Sequence, residues 1–325
     1  MADADRQIPD APGPRRAVYS NAALHRAQAR HFLLFDLLPA MGTVVAFAGL
    51  PATSPHGVEL ALFFVFWLAT GLGLTVGFHR YFAHRAFEAA PAVAHLLMAL
   101  GSMAARGPMI SWVAMHRRHH ELSDRPGDVH SPNLGGAGAL GLLRGWLHAH
   151  LTWIYRHDYP NVTRYVPDIL ANRAFMRWNR RYYFWVLLGL ALPAAIGGLA
   201  RWSWQGALGG LLWGGVVRLF VVAQTMSAVN SFCHLLGAKD FATGDNSRNV
   251  AWLGLASWGE SHHNNHHAFP YSAAIGLKEG ELDPGFWFVR LLERLGGASR
   301  VKTPSPEQIA ARRAAGPRDE PAQPA

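Results

Sequence analysis

The sequence nearly lacks cysteine: Cys233 is the only one in 325 residues. That excludes a disulfide framework and any thiolate-ligated metal site, and it fits a reducing compartment. Charge is scarce too. Only 16% of residues are Asp, Glu, Lys or Arg, against about a quarter in an ordinary soluble domain. Acids are the scarcer sign, 21 against 30 Lys and Arg. Such basicity serves nucleic acid or anionic lipid heads, and the long apolar runs decide for lipid. There is no apolar segment behind the polar, Pro-rich start Met1–Arg16, so no cleaved leader is expected. Nor is there a flavin, haem or iron–sulfur motif, so any redox chemistry here draws electrons from a separate donor.

What is abundant is hydrophobicity, at half of all residues. Four apolar runs approach the ~20 residues that cross a bilayer, at about 31–50, 58–78, 184–200 and 206–227. The first two flank an uncharged turn, Pro51–Gly57, and the last two flank Arg201–Gln205, so they read as two transmembrane hairpins. A fifth apolar stretch, Pro91–Met109, is broken by Gly101, Gly107 and Pro108 and reads as buried or interfacial. The segments 1–30 and 303–325 read as a polar tail and a disordered tail around one domain, 31–302. Thirteen arginines lie between His79 and Tyr183, whereas the two hairpin turns carry only Arg201. Because cytoplasmic loops collect Lys and Arg, both termini and the whole 79–183 segment are expected in the cytoplasm.

Histidine organises the polar part. Of the six residues 262–267, four are imidazoles, and upstream lie His79 with His84 and the run His116-Arg117-Arg118-His119-His120. Positions 116, 119 and 120 are spaced i, i+3, i+4, which puts three rings on one helix face, and 263, 266 and 267 repeat that spacing. The i+5 spacing of His79 and His84 is off-face for an α-helix, so the helix is expected to end between them. Asn230 and His234 follow the fourth apolar run at i and i+4. Nine imidazoles exceed what one ion holds, which implies two metals. Nitrogen ligation without thiolate suits iron, copper or zinc, and so many ligands at a bilayer surface point to oxygen chemistry on a lipid.

The set His79-Arg80-Tyr81-Phe82-Ala83-His84, His116–His120, Asn230-Ser231-Phe232-Cys233-His234 and His263–Pro270 resembles the membrane fatty acyl-CoA desaturases of the stearoyl-CoA desaturase type, over roughly residues 30–302. The resemblance implies an all-α integral membrane fold: four transmembrane helices in two hairpins under a cytoplasmic helical cap. It also implies a di-iron site ligated by His79, His84, His116, His119, His120, His234, His263, His266 and His267, with Asn230 acting through water. The implied activity is O2-dependent insertion of a cis double bond into a saturated acyl chain, with acyl-CoA as substrate and a ferredoxin or cytochrome b5-like protein as donor. His262 stands where the family does not usually place a ligand. Asp128 and Glu260 are candidates for orienting imidazoles, and His130, His150 and Trp153 for contacts around the metals or with substrate. One departure is plain. The family's charged stretch before the second box, with an arginine that faces CoA, reads Trp112-Val113-Ala114-Met115 here. A chain on a carrier protein or in a phospholipid therefore stays open, as does a hydroxylase outcome at the same metals. A His-rich metal transporter is disfavoured because the spans offer few polar residues. Counting twelve residues back from His79 reaches Trp67, roughly 18 Å away at the helical rise, so Trp67 or Phe63 is expected to floor an acyl tunnel.

Overall fold

The computed structural model describes residues 17–49 and 54–314, so part of the first hairpin turn lies outside the described residues. The fold is almost wholly helical. Four long helices are apolar enough to cross a membrane: α1 (Ala22–Ala48), α2 (Gly57–Ala83), and, after an interruption, Tyr182–Arg201 and Trp204–Phe232. Between the two pairs come α3 (Pro91–Met103), α4 (Met109–Leu122), α5 (Gly138–His150) and α6 (Arg173–Arg180), so the last two spans are α7 and α8. Helices α9 (His263–Ala268), α10 (Pro284–Arg294) and α11 (Pro306–Ala314) complete the cap. Two short antiparallel pairs tie distant segments. Val18–Tyr19 (β1) pairs with Tyr159–Pro160 (β3), and Glu88–Ala89 (β2) with Ala298–Ser299 (β4).

The spans outrun the apolar runs in the sequence. Both α1 and α2 have 27 residues, or about 40 Å against a hydrocarbon core of about 30 Å. Helix α1 begins well before residue 31 because the side chain of Asn21 accepts the amide of Leu24 and caps it. The polar tail boundary at 30 therefore falls inside a helix. The tail expected to be disordered from 303 likewise carries α11. Pro91–Met109 divides as expected of a non-spanning stretch. Its helix α3 has 13 residues, too few to cross, and packs along α2. That packing needs small residues: a Cβ on Gly73 would fall 2.2 Å from the amide nitrogen of Gly101.

Wide π-type turns interrupt three spans, at Leu33–Leu37, Gly73–Ala83 and Gly210–Val217. The second corrects the expectation that the helix ends between His79 and His84. It continues through Ala83, and the amide of His84 bonds the carbonyl of His79, five residues back. A π-helix closes its turns i to i+5, so the spacing that is off-face for an α-helix brings these two rings to 4.8 Å. The end of α2 is then held by Arg117. Its guanidinium takes the carbonyls of Phe82 and Ala83 and grips Asp168 with two bonds of 2.7 and 3.0 Å.

At the middle of α8 sits a fully buried arginine, Arg218. Its partners are three carbonyls: Gly189 at 2.6 Å, Met103 at 2.7 Å and Gly214 at 3.1 Å. Gly189 lies four residues before Pro193 in α7, so its carbonyl has no helical donor. Met103 ends α3. One guanidinium thus satisfies backbone groups that a proline and a helix terminus leave open. At the opposite side of the spans from the histidines, Arg201 reaches Glu59 at 2.7 Å and joins the ends of α7 and α2.

Candidate metal centre

Helix α4 and the short helix α9 meet the ends of α2 and α8 and bring nine histidines into two groups. His79, His84, His116, His120 and His266 form one, and His119, His234, His263 and His267 the other, with ligand atoms in each group within 4.8 Å of one another. Each three-histidine face is shared between them. Helix α4 gives His116 and His120 to the first group and His119 to the second, while α9 gives His266 to the first and His263 with His267 to the second.

The residues between the histidines of α9 explain its orientation. Asn264 and Asn265 point the other way and are buried. The Asn264 side chain accepts the amides of Asp240 and Phe241, at 2.8 and 2.7 Å. Asn249 in turn accepts the amides of Asn264 and Asn265, at 3.0 and 3.1 Å. Six residues cannot hold a helix by themselves; these asparagines fasten it to the 238–249 loop. His262 turns away from both groups, with Nε2 3.2 Å from the carbonyl of Leu282.

Four carboxylates fix the imidazoles from behind. Nδ1–H of His119 donates to Asp128 at 2.9 Å, that of His234 to Asp124 at 2.9 Å and that of His267 to Asp245 at 2.7 Å. Nδ1 of His79 lies 2.5 Å from Glu260, which also meets the buried guanidinium of Arg80 at 3.2 Å. A proton held on Nδ1 leaves the Nε2 lone pair facing the group's centre. Asp128 and Glu260 are the carboxylates expected from sequence. Asp124 and Asp245 were missed, because no spacing relates them to the rings they hold. Asp124 is a hub with a left-handed backbone, φ +58°, and also accepts from Ser131, Asn133 and the amide of Asn246.

The electrostatics favour neutral rings in the first group. Burial, then the neighbouring imidazoles, push His84, His116, His120 and His266 well below the ordinary histidine value, and His263 in the second group follows. Burial also takes His267 down to about 4, against the pull of Asp245. His119 goes the other way: burial would lower it, but the charge and hydrogen bond of Asp128 outweigh that. The same bonds hold Asp124, Asp128 and Asp245 well below the usual carboxylate range despite burial.

Nε2 atoms face one another at 2.7 Å (His84–His116), 2.9 Å (His120–His266), 3.0 Å (His116–His120) and 3.1 Å (His79–His266 and His263–His267). Neutral imidazoles with inward lone pairs repel at such distances. A metal–nitrogen bond of about 2.1 Å, however, gives ligand-to-ligand edges of about 3.0 Å in an octahedron. Nε2 of His119 and of His234 is buried without any partner. The donor set thus fits two nitrogen-ligated metal ions, one per group.

A cavity of about 320 Å3 opens on this centre through His79, His116, His119 and His263, with Asn230 and Glu260 in its wall. His130 and Trp153 line it as well, and His130 stacks 4.3 Å from His119. Three residues expected near substrate do not line it. His150 faces Ser231 and Gln224, at 2.9 and 3.1 Å, on the far side of α8. Trp67 stacks 4.7 Å from Trp258 inside the core, and Phe63 packs with Trp213. The deepest lining residues are Leu74 and Thr75 on α2 and Ala223 on α8. The tunnel floor placed at Trp67 or Phe63 is therefore corrected to a level one turn below His79, because the α2–α3 packing and the two indoles fill the space beneath.

The family model described as fatty acid desaturase matches residues 58–275. Among similar proteins, the hex-5-enoyl-[acyl-carrier protein] acetylenase of Moorena producens (strain JHB) is 45% identical over 298 residues, 91% of this chain and 93% of that one. The Delta-9 acyl-lipid desaturase 2 of Arabidopsis thaliana is 35% identical over 75% of each chain. The sn-1 stearoyl-lipid 9-desaturase of Anabaena variabilis is 32% identical over 85% of this chain and 94% of its own.

Proposed function

The chain belongs to the fatty acid desaturase family, and from that premise we propose that it desaturates a short acyl chain carried as a thioester, on an acyl-carrier protein in the first instance. The observation that carries this reading is the shallow cavity. Below the histidines it reaches only Leu74, Thr75 and Ala223, roughly 7 Å from His79 at the helical rise, which suits a short hydrocarbon tail. The relative from Moorena producens, named for a six-carbon acyl-carrier-protein substrate, supports the same choice. An acyl-CoA presents the same thioester and is the second reading. The uncharged stretch Trp112–Met115, where the family's CoA-facing arginine is lacking, favours the carrier protein over it.

Two irons, one per histidine group and with Asn230 joining the second through water, would supply the redox chemistry: O2 and two external electrons and protons become two waters as two hydrogens leave adjacent carbons. The chain's own residues do the rest. Asp124, Asp128, Asp245 and Glu260 keep the Nε2 lone pairs inward. Leu74, Ala223 and Met226 exclude water around the tail. Trp112, stacked 5.2 Å from His116, forms the wall opposite His263. The electrons come from a ferredoxin or cytochrome b5-like protein, which an arginine-rich cap steers if the donor is acidic. We place that cap and both termini in the cytoplasm, on the charge asymmetry about the spans.

Reconstituted protein assayed with its electron donors on acyl-carrier protein, acyl-CoA and phospholipid carrying matched chains tests this. Unsaturated product from the carrier-bound substrate, by mass spectrometry, is the expected result. Turnover of phospholipid alone overturns the thioester reading, and an active protein filled with zinc overturns the di-iron one.

A further inference from the structure

The cavity has a second end, and its character is opposite to the first. From His119 a row of rings runs outward through His130, Trp153, His157 and Tyr159, with successive centroid separations of 4.3, 5.1, 5.7 and 5.1 Å. The last ring lies on β3, paired with Tyr19 of β1 at the surface. Facing the row, α1 contributes Gln28, whose amide donates to the carbonyl of His157 at 2.7 Å and so fixes that turn. All four of the outer rings line the cavity. A hydrocarbon chain has no use for such a wall.

Two ring atoms in it are buried and bonded to nothing, Nε1 of Trp153 and Nε2 of His157. Their chemistry is complementary. An indole N–H only donates. Nδ1–H of His157 donates to the carbonyl of Trp153 at 2.9 Å, so the neutral ring presents a bare lone pair at Nε2 and accepts. Burial lowers the pKa of His157 and keeps it neutral. Buried groups left unpaired are costly, and this pair asks for a ligand that carries an acceptor and a donor on one chain. The ester linkage of a glycerolipid offers acceptors alone. A pantetheine arm offers carbonyls and amide N–H groups in alternation, directly behind the thioester.

We propose that Trp153 and His157 bind the amide-bearing pantetheine linker of the substrate, Trp153 donating to a carbonyl and His157 accepting an amide N–H. This rests on the thioester reading above. Coenzyme A and acyl-carrier protein share this linker, so the site recognises what is common to both. Its second effect is register. By holding the linker at a set distance from His119, the two rings decide which carbons of the tail lie at the histidine groups.

The test uses the full-length, metal-loaded protein and an S-alkyl pantetheine thioether, which keeps both amides, with binding measured anaerobically without reductant. Trp153→Phe keeps the ring and loses the N–H; His157→Phe loses the acceptor. Each is expected to reduce the preference for the thioether over a linker-free chain of equal length about tenfold, the worth of one hydrogen bond, with metal content and melting temperature retained. On turnover, Trp153→Phe is expected to scatter the double bond over neighbouring positions. Comparing acyl-CoA with acyl-carrier protein separates the two sources of the linker. Thioether binding unchanged in both folded variants overturns the proposal, as does failure of the wild type to bind the thioether. Turnover of phospholipid alone by a wild type that does bind the thioether defeats the substrate reading but not the linker site.

Discussion

Replacing Asp124 by asparagine changes one atom and no volume, yet the geometry makes it severe. Every partner of this carboxylate donates to it: Ser131 at 2.5 Å and Asn133 at 2.8 Å on Oδ1, His234 at 2.9 Å and the amide of Asn246 at 2.8 Å on Oδ2. An amide NH2 in the Oδ2 position orphans the Asn246 amide. It also drives the His234 proton to Nε2, which destroys a metal-facing lone pair. Turned the other way, the NH2 opposes Asn133, while Ser131 can rotate to accept. The second arrangement is the cheaper, with one orphaned donor costing about 1–3 kcal/mol and a neutral acceptor in place of a charged one costing about 1 kcal/mol more. We therefore expect D124N to lose about 2–4 kcal/mol, part of it as a 10–100-fold weaker hold on the metal at His234, the usual cost of losing a ligand's outer partner. Because His234 belongs to the second histidine group alone, iron measured after dialysis against a chelator should fall from two per chain toward one. Two retained irons in folded D124N would refute the account of how the second group is held.

Glu260→Gln should produce the complementary loss, at the first group, because Glu260 lies against His79; the same chelation assay reads it. His262→Ala should keep both irons, since His262 lies in neither group, and iron loss there would show that the last histidine run is misassigned. Leu74→Ala, at a fully buried position, should cost about 2–5 kcal/mol of stability without substrate and shift the product profile toward longer chains, each added methylene regaining about 0.8 kcal/mol; an unchanged profile in folded protein removes Leu74 from the floor. Burial raises the Asp168 carboxyl, but hydrogen bonds from Arg117 and Arg85 prevail and hold it at about 2. Its folded value lies below the unfolded one of about 3.9, so its stabilisation is complete above about pH 4 and vanishes as pH falls through 2. Asp168→Asn should flatten the melting temperature over that interval, and an unaltered acid profile would contradict it.

The four spans are legible in the sequence because twenty apolar residues have few other uses, and the histidine faces because the i, i+3, i+4 spacing survives in α4 and α9. The ends of the spans are not legible. The Asn21 cap and the polar turns of α1 carry no hydropathy signal, though they deliver Gln28 to the cavity. His79 and His84 mislead because a period of 3.6 was assumed where the chain winds wider. Asp124 and Asp245 act across 110 and 22 residues of sequence, respectively, a separation no local pattern encodes. Trp67 misleads for a different reason: a count along one helix gives depth but not direction, and its ring turns to Trp258 instead of the cavity.

Arg218 bears on how the protein is made. Taken alone, α8 carries a charge at its midpoint, which costs about 2.5–3.5 kcal/mol on entry into the bilayer from the translocon. Its two long-range acceptors, the carbonyls of Met103 and Gly189, lie in α3 and α7, and both precede α8 along the chain. By the time α8 emerges from the ribosome, the groups that neutralise its burden have already been synthesised. A chain truncated to begin at α8, or circularly permuted to make α8 first, presents that arginine to lipid with no acceptor waiting. The order of the helices along the chain is thus also the order in which they can be delivered to the membrane.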